Sequence, residues 1–208
     1  MKPKPTRLEL CCGWKSVSNA FATNHHWHTV TVDILPKFKP TLLTDVTRWD
    51  YRAYFETHPV PDVIWASPPC RTFTVQAWGR YRDSEGGAVG VDGEDGDACV
   101  RASRVSSTAC HSTPTSPTSW RTRCTARSAS SPVRPYLDQG LYRTLQYGDY
   151  APQTHSLKPT LVLTNCDAWT PKPRTLTRSV CPWNTLSRKR RTVVPHAVAD
   201  EVAAVCDL

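Results

Sequence analysis

The stretch of sequence that decides the fold is Asp62-Val63-Ile64-Trp65-Ala66-Ser67-Pro68-Pro69-Cys70. Its first half is rich in apolar, β-branched and aromatic residues, which is typical of a buried strand. The two prolines then end the strand, because proline has no backbone N–H to donate to a neighbouring strand. The stretch therefore predicts a buried strand followed by a sharp turn that carries a cysteine.

Three more strands are predicted upstream, and each one ends at a glycine or an aspartate. These strands are residues 7–12, 29–32 and 41–44, followed by Gly13, Asp33 and Asp45. The hydrophobic periodicity between them favours helices at residues 16–22 and 49–57. Strands that alternate with helices imply a Rossmann-like α/β fold with a doubly wound, mostly parallel sheet. Such sheets bind their ligands at the carboxyl ends of the strands.

The middle of the chain, residues 75–136, has a different composition. It contains no Leu, Ile, Phe or Met, and residues 101–134 are mostly Ser, Thr and Arg. A segment of this kind cannot bury enough apolar surface to offset the entropy of ordering it. We therefore predict that residues 75–136 lack regular structure and separate a first half of the domain, 1–74, from a second half, 137–208.

The second half again has the composition of a folded protein. It predicts a strand at residues 161–164 and a helix at 195–206 with Val198, Val202 and Val205 on one stripe. Between them lies a group of basic residues that form either a solvated loop or a set of phosphate contacts. These residues are Lys172, Arg174, Arg178, Arg188, Lys189, Arg190 and Arg191.

The charge and cysteine content restrict the class of protein. The net charge of +8 favours a polyanionic partner, with nucleic acid as the first candidate. We expect no membrane span, because no apolar run reaches about 18 residues, and no signal peptide after the basic N-terminus. The 9 cysteines include no Cys-x-x-Cys pair, so we expect free thiols and no metal site. The protein is expected in the cytoplasm or a nucleus and not outside the cell.

Four features stand at the predicted strand ends, and each suits one part of a ligand. Gly13 allows a tight turn and a close approach of the backbone. Asp33 can accept hydrogen bonds from a ribose diol, and Asp45 can accept one from an exocyclic amine. Cys70 presents a thiol after two prolines. Each acid alone is more often a helix cap or a turn residue, but their order and spacing together are more specific.

In that order and spacing the four features resemble the cytosine-5 DNA methyltransferases, especially the compact forms encoded by phages and large DNA viruses. The matching segments are Glu9-Leu10-Cys11-Cys12-Gly13-Trp14-Lys15-Ser16, Val32-Asp33-Ile34, Leu43-Thr44-Asp45-Val46 and Pro61 to Cys70, with fainter matches at Arg134-Pro135-Tyr136, Lys158-Pro159-Thr160, Leu163-Thr164-Asn165 and Arg191 to Pro195. The resemblance covers the two outer parts of the chain and skips the middle.

The resemblance implies an S-adenosylmethionine-dependent enzyme that acts on double- or single-stranded DNA, in the cytoplasm or a host nucleus. It implies Cys70 as the catalytic nucleophile. The implied cofactor-binding residues are Glu9, Gly13, Ser16, Asp33, Asp45 and Pro68. It implies no metal and no membrane, and it leaves the target sequence and the oligomeric state open.

Cysteine suits this chemistry for a physical reason. Carbon 5 of cytosine is a poor nucleophile until a thiolate adds at carbon 6 and makes it enamine-like. A thiol combines the required nucleophilicity with ready departure. The commoner structural role of Cys70 would be that of a small buried apolar residue beside a turn.

The sequence also departs from the family. Members have a Glu-Asn-Pro or Glu-Asn-Val triplet, whose Glu protonates the cytosine, and this chain contains neither. The triplet should fall in the middle segment, where residues 97–102 still resemble the helix of the family. A one-base shift of the reading frame across residues 103–133 permits Leu-Ala-Asn-Pro at 120–123. We therefore hypothesise that the middle segment is degenerate or partly out of frame.

Three alternatives stay open at this point. The chain could be a catalytically inactive relative, which the missing Glu supports. It could be an amino-methyltransferase, although Cys70 stands where those enzymes have an aromatic residue. It could also be a basic nucleic-acid-binding protein without methyl transfer, and cofactor binding would distinguish that class from the others.

Overall fold

The structure is a computed structural model that describes residues 4–24, 27–74, 78–110, 142–155, 157, 159–164, 168–178, 180–181, 186–187 and 193–206. These residues build a parallel sheet of four strands with helices on both of its faces. The predicted Rossmann-like α/β fold is confirmed.

The predicted strands and helices are all present, with boundaries that differ by a few residues, and the elements at Tyr142–Gln146 and Tyr147–Tyr150 were not predicted. In chain order they are β1 (Thr6–Leu10), α1 (Ser16–Asn24), β2 (His28–Asp33), β3 (Leu42–Leu43), α2 (Tyr51–Thr57), β4 (Val63–Ala66), α3 (Gly90–Cys110), β5 (Tyr142–Gln146), α4 (Tyr147–Tyr150), β6 (Pro159–Leu163) and α5 (His196–Cys206). Two short 3-10 turns lie at Pro36–Phe38 and Cys70–Phe73. Asp50 caps α2 by accepting hydrogen bonds from two N–H groups of its first turn.

The order of the strands creates a binding crevice. The parallel sheet runs β3-β2-β1-β4, so the chain moves outward from β1 in one direction and then returns to its other side. Leu10 is level with both Val32 and Ala66, and Val32 is level with Leu42. The carboxyl ends therefore meet at one edge. The strand order reverses between β1 and β4, which is where sheets of this type bind ligands.

The alternation along β4 shows how the two faces are filled. Val63 and Trp65 pack with Phe21 of α1 and with α5. Ile64 and Ala66 point to the opposite face and pack with β1, β2 and residues of α2 and α3. All four β4 side chains are buried, and the predicted stripe of α5 faces the first of these clusters. The sheet is thus the middle layer of three, and the wholly apolar β4 is covered on both of its faces.

One prediction is wrong for part of the middle segment. Residues 90–110 form a 21-residue helix α3 that contains the helix expected at residues 97–102, and residues 78–89 form turns with isolated bridges. This part also contains a buried ion pair between Arg82 and Asp97, which a count of aliphatic residues misses. The rest of the middle segment lies outside the described residues, including the proposed triplet at 120–123 and residues 134–136.

The C-terminal part adds a second, smaller sheet. The predicted strand at 161–164 is present as β6, and it pairs antiparallel with β5 in a sheet of two strands. Three of the predicted basic residues, Lys172, Arg174 and Arg178, are described and exposed, while residues 188–191 and the matches at Lys158 and Asn165 lie outside the described residues. Among the helices that the structure describes, none has the length and apolar character needed to cross a bilayer.

Candidate active site

Backbone hydrogen bonds continue between neighbouring segments just beyond the ends of the strands. The N–H of Ser67 donates to the carbonyl of Leu10 at 3.0 Å, and the N–H of Cys12 donates to that of Val32 at 3.1 Å. On the next strand, the N–H of Thr44 donates to the carbonyl of Asp33 at 3.1 Å. The segments that carry the predicted site residues therefore leave the sheet side by side.

Two neighbouring cavities open at this edge, of about 450 and about 500 Å³. Residues common to both linings are Cys11, Leu35, Phe38, Ser67, Pro69 and Arg71. Asp33 and Asp45 line the first cavity. The other predicted site residues, Glu9, Gly13, Ser16, Pro68 and Cys70, line the second. The fold thus brings every predicted site residue to one pair of cavities, each within the size range of small-molecule sites.

The turn after β1 is held by Asp33. The N–H of Gly13 donates to Asp33 Oδ2 at 2.9 Å, and the N–H of Leu35 donates to Oδ1 at 2.9 Å. Gly13 has a φ of +51°, in the left-handed region that glycine adopts without a steric cost. Each carboxylate oxygen has two lone pairs, so Asp33 can hold the turn and still accept a hydrogen bond from a ligand.

Asp45 is held by one of its two oxygens. Its Oδ1 accepts hydrogen bonds from the N–H of Thr47 at 2.9 Å and from the hydroxyl of Thr47 at 2.8 Å. Within the part of the chain that the structure describes, Oδ2 accepts no hydrogen bond. Asp45 therefore keeps a carboxylate oxygen that can accept a hydrogen bond from a ligand in the first cavity.

Glu9 and Ser16 are engaged within the protein. The buried Glu9 carboxylate accepts hydrogen bonds from the N–H of Ser18, at 3.0 Å, and from its hydroxyl, and it pairs with Arg7 at 3.5 Å. Burial raises the pKa of Glu9, against the opposing effects of Arg7 and Ser18. Ser16 Oγ accepts a hydrogen bond from the N–H of Val194 at 3.1 Å, which ties α1 to the chain before α5. Their role in cofactor binding stays a prediction.

Cys70 begins a turn beside the second cavity. It is the first residue of the 3-10 turn Cys70–Phe73, it is half-buried, and its thiol is free. The preceding segment is fixed because Trp65 Nε1 donates to Ser67 Oγ at 2.9 Å. A free, partly accessible thiol at the edge of a cavity has the accessibility that a nucleophile needs.

The sequence reasoning missed the outer wall of the first cavity. Asp92, Asp95, Gly96 and Cys99 of α3 line it opposite the sheet. A hydrogen bond to Cys99 and burial raise the pKa of Cys11 well above its usual range, and the same contact lowers the pKa of Cys99. The likeness of residues 97–102 to a family helix was the one signal that pointed to this wall.

Arg71 was missed as well. It directly follows Cys70, lines both cavities and forms an ion pair with Asp92 of α3. Nothing in the strand-end pattern singles it out, because its position depends on where α3 returns to the sheet.

The exposed basic residues of the C-terminal part lie on a loop that hydrogen bonds pin to the short helix α4. Asp149 Oδ1 accepts hydrogen bonds from the N–H groups of Leu176 at 2.9 Å and Thr175 at 3.2 Å. Burial raises the pKa of Asp149, but these hydrogen bonds outweigh that effect and leave the pKa lowered. The N–H of Lys172 donates to the Tyr150 hydroxyl at 2.8 Å. The loop is thus a defined basic surface.

Among the described residues, no three His, Cys, Asp or Glu side chains are grouped to hold a metal ion.

Comparison with known proteins agrees with the resemblance. The chain is 37% identical over 84 residues to a probable DNA (cytosine-5)-methyltransferase of Frog virus 3 (isolate Goorha). The aligned stretch covers 40% of this chain and 35% of that protein. No family model matches the chain. The methyltransferase EhMeth of Entamoeba histolytica has the same fold, with a TM-score of 0.53 at 10% identity over 86% of this chain and 57% of that one.

These findings confirm the resemblance to the cytosine-5 DNA methyltransferases and the fold. The chain spans about a third of the length of the curated relative that it matches.

Proposed function

We infer from this relationship to the cytosine-5 DNA methyltransferases that the chain transfers a methyl group from S-adenosylmethionine to carbon 5 of cytosine in DNA. One observation carries the proposal. Cys70 lines a cavity that shares a wall with the cavity holding Asp33 and Asp45. A reacting base and a methyl donor need such adjacent places, because the reacting atoms must come within about 3–3.5 Å of each other.

The residues at the crevice fit the cofactor. Asp33 would accept hydrogen bonds from the ribose, Asp45 would accept one from the adenine amine, and the Gly13 turn would receive the methionine end, beside Pro68. The free Oδ2 of Asp45 supports this assignment among the described residues, as does the left-handed turn at Gly13. When bound, S-adenosylmethionine supplies an electrophilic methyl group.

Cys70 carries the covalent step on the base. Its thiolate adds to carbon 6 of cytosine, and the electron pair of the 5,6 double bond makes carbon 5 nucleophilic. After methylation, carbon 5 loses its proton, the double bond re-forms, and the thiolate leaves. The target base must first be flipped out of the duplex or met in a single strand.

The DNA would be held by basic residues. The net charge of +8 favours contact with phosphates. Lys172, Arg174 and Arg178 are exposed on the pinned loop. Its fixed backbone means that a phosphate contact there would cost little ordering entropy.

The missing Glu sets an upper limit on the turnover. In the family this residue protonates the cytosine ring, and general acid help of this kind is worth about 10²–10⁴-fold. The absence of a Glu-Asn-Pro or Glu-Asn-Val triplet therefore favours slow or impaired activity. It also favours a second candidate function, a relative that binds the cofactor and DNA without completing the transfer.

A covalent trap tests the proposal. DNA that carries 5-fluorocytosine should form a stable adduct with the protein in the presence of S-adenosylmethionine, because fluorine cannot leave carbon 5 as a proton does. Cys70→Ser should abolish the adduct, since a hydroxyl is far less ionised than a thiol at neutral pH. Cys181→Ser is the matched control, because Cys181 is a half-buried cysteine that lines neither cavity.

Denaturing gel electrophoresis with mass spectrometry would locate the attachment. An adduct that persists in Cys70→Ser would refute the assignment of the nucleophile. Cofactor binding by calorimetry without any adduct would favour the inactive relative.

A further inference from the structure

A buried arginine from the middle segment contacts the turn that begins at Cys70. Arg82 is 1% exposed, and its Nε donates to the carbonyl of Thr72 at 2.9 Å. Its Nη2 lies 2.6 Å from Asp97 Oδ1 and donates to the carbonyl of Gly93 at 3.5 Å. The guanidinium group lies 4.3 Å from the centre of the Phe73 ring. One side chain thus links the cysteine turn to α3.

The backbone of Arg82 is itself fixed. The N–H of Gly79 donates to its carbonyl at 2.8 Å. Isolated β-bridges connect it to Trp78 on one side and to Ala88 on the other. The backbone from which the Arg82 side chain extends is therefore held in place by these contacts.

The turn is also packed tightly against α3. A Cβ added to Gly96 would collide with Thr72 Oγ1 and would lie 3.4 Å from a ring atom of Phe73. Only glycine allows this approach of the helix. Thr72 is thus enclosed between the Arg82 side chain and α3, two residues after Cys70.

Burying the Arg82 charge costs desolvation free energy, and the ion pair with Asp97 does not by itself make the protein more stable than apolar residues would. A buried ion pair is often no more stable than well-packed apolar residues of similar volume. An apolar side chain, however, cannot donate to the carbonyl of Thr72. A charge-assisted hydrogen bond from a planar guanidinium group fixes both the distance and the direction of that carbonyl.

We propose that Arg82, oriented by Asp97, is a positioning residue that holds the Thr72 carbonyl and so fixes the thiol of Cys70 at the second cavity. The consequence for methyl transfer rests on the proposed function. The claim that Arg82 holds the turn does not rest on the proposed function, because it concerns the order of the turn in the free protein.

The first measurement needs neither DNA nor cofactor. Intact protein is treated with iodoacetamide, and alkylation of each cysteine is followed by peptide mass spectrometry. Arg82→Met should speed alkylation of Cys70 about tenfold, because the released turn exposes the thiol, while buried Cys12 stays slow. Global unfolding would instead speed both cysteines, so the Cys70-to-Cys12 ratio separates a local role from a merely structural one.

Two further variants sharpen the measurement. Arg82→Lys keeps the charge near Asp97 but lacks the planar fork whose separate nitrogens contact Thr72 and Asp97, so it should raise the ratio by an intermediate amount. Arg143→Met is the matched control, because Arg143 Nε donates to the carbonyl of Trp169 at 3.3 Å in the C-terminal part, away from the cysteine turn. It should leave the ratio within about twofold, as expected for a distant site.

The second measurement concerns the covalent trap. With 5-fluorocytosine DNA, Arg82→Met should lower the maximal rate of adduct formation by about a hundredfold, the scale of an ångström misplacement. The half-saturating DNA concentration should change by less than about twofold, since Arg82 is buried and cannot contact a phosphate.

The outcomes distinguish the two proposals. An unchanged Cys70-to-Cys12 ratio in both Arg82 variants overturns the positioning role, whether or not the wild type forms an adduct. A raised ratio with a wild-type adduct rate also overturns it. If the Cys70-to-Cys12 ratio rises in the variants and the wild type forms no adduct, the positioning role is supported and the proposed function is refuted.

Discussion

Two buried arginines, one in each of two regions, show two ways of ordering the chain. Arg7 lies in β1 of the N-terminal region, residues 4–74, and Arg82 lies in the middle region, residues 78–110. Both are about 1% exposed or less, and both lie about 4 Å from the centre of a phenylalanine ring, at 4.2 Å for Arg7 and 4.3 Å for Arg82. Each also pairs with a buried acid.

The surroundings of the two arginines differ. Arg7 is one polar residue in a sheet whose neighbours Leu8, Leu10 and Ile64 are fully buried. Burial lowers its pKa to about 10, against the opposing effect of Glu9. In residues 78–102, by contrast, Val100 is the one buried large aliphatic residue whose side chain is described. The N-terminal region is therefore built around many apolar contacts, whereas the middle region has few of them and contains a buried ion pair.

The largest expected effect follows from the burial of this ion pair. Asp97→Ala should destabilise the protein by about 3–5 kcal/mol, because it leaves the Arg82 charge buried without a partner. Urea unfolding followed by tryptophan fluorescence would measure this loss. The double variant Arg82→Met with Asp97→Leu should recover most of it, since removing both charges removes the desolvation cost. If the two changes simply add, Arg82 and Asp97 are not energetically coupled.

A smaller effect is expected on the ligand, and it compares the two walls of the first cavity. Asp33→Ala on the sheet side should weaken S-adenosylmethionine binding by about 1–3 kcal/mol, the usual cost of stranding a hydrogen-bonded partner. Asp95→Ala on the α3 side should change it by less than about 0.5 kcal/mol, as for an exposed residue without such contacts. Isothermal calorimetry at equal folded fraction is the measurement. Equal losses at the two positions would mean that the walls contribute alike.

The third effect tests the distributed stability of the N-terminal region. Ile64→Val removes one buried methylene and should cost about 0.5–1.5 kcal/mol, because many neighbours share the contact. Val60→Ala at a half-exposed site is the control and should stay within about 0.5 kcal/mol. A loss at Ile64 as large as that of Asp97→Ala would remove the contrast between the two regions.

The N-terminal region could be predicted from sequence because its signals are local. The apolar runs, the turn residues and the acids after each strand fall in a repeating order, and the parallel register then places Gly13, Asp33, Asp45 and Cys70 at one edge. No long-range contact has to be guessed for this, since the carboxyl ends of parallel strands meet at the same edge of the sheet.

The middle region could not be predicted in the same way, because its buried ion pair joins residues that are apart in the sequence. Arg82 and Asp97 are ordinary charged residues in sequence, and only the fold shows that they meet inside the protein. The same holds for Glu9, which the family pattern assigns to the cofactor while its carboxylate is engaged by Ser18 and Arg7. Composition measures how much apolar surface a segment has, but it does not reveal which charged residues form a buried ion pair.

The smallest expected effect concerns the acid that pairs with Arg7, and it depends on pH. Because burial raises the pKa of Glu9, the folded protein binds a proton at this site more tightly than the unfolded chain does. Acidification should therefore stabilise the wild type relative to Glu9→Gln, starting above glutamate's ordinary value of 4.5 and complete below it. Urea unfolding of both proteins between pH 7 and pH 4 would follow the difference, with Ile64→Val as a control whose effect involves no proton. A wild type that loses stability relative to Glu9→Gln on acidification would mean that the attraction of Arg7 outweighs burial, and the two buried pairs would then differ less than their surroundings suggest.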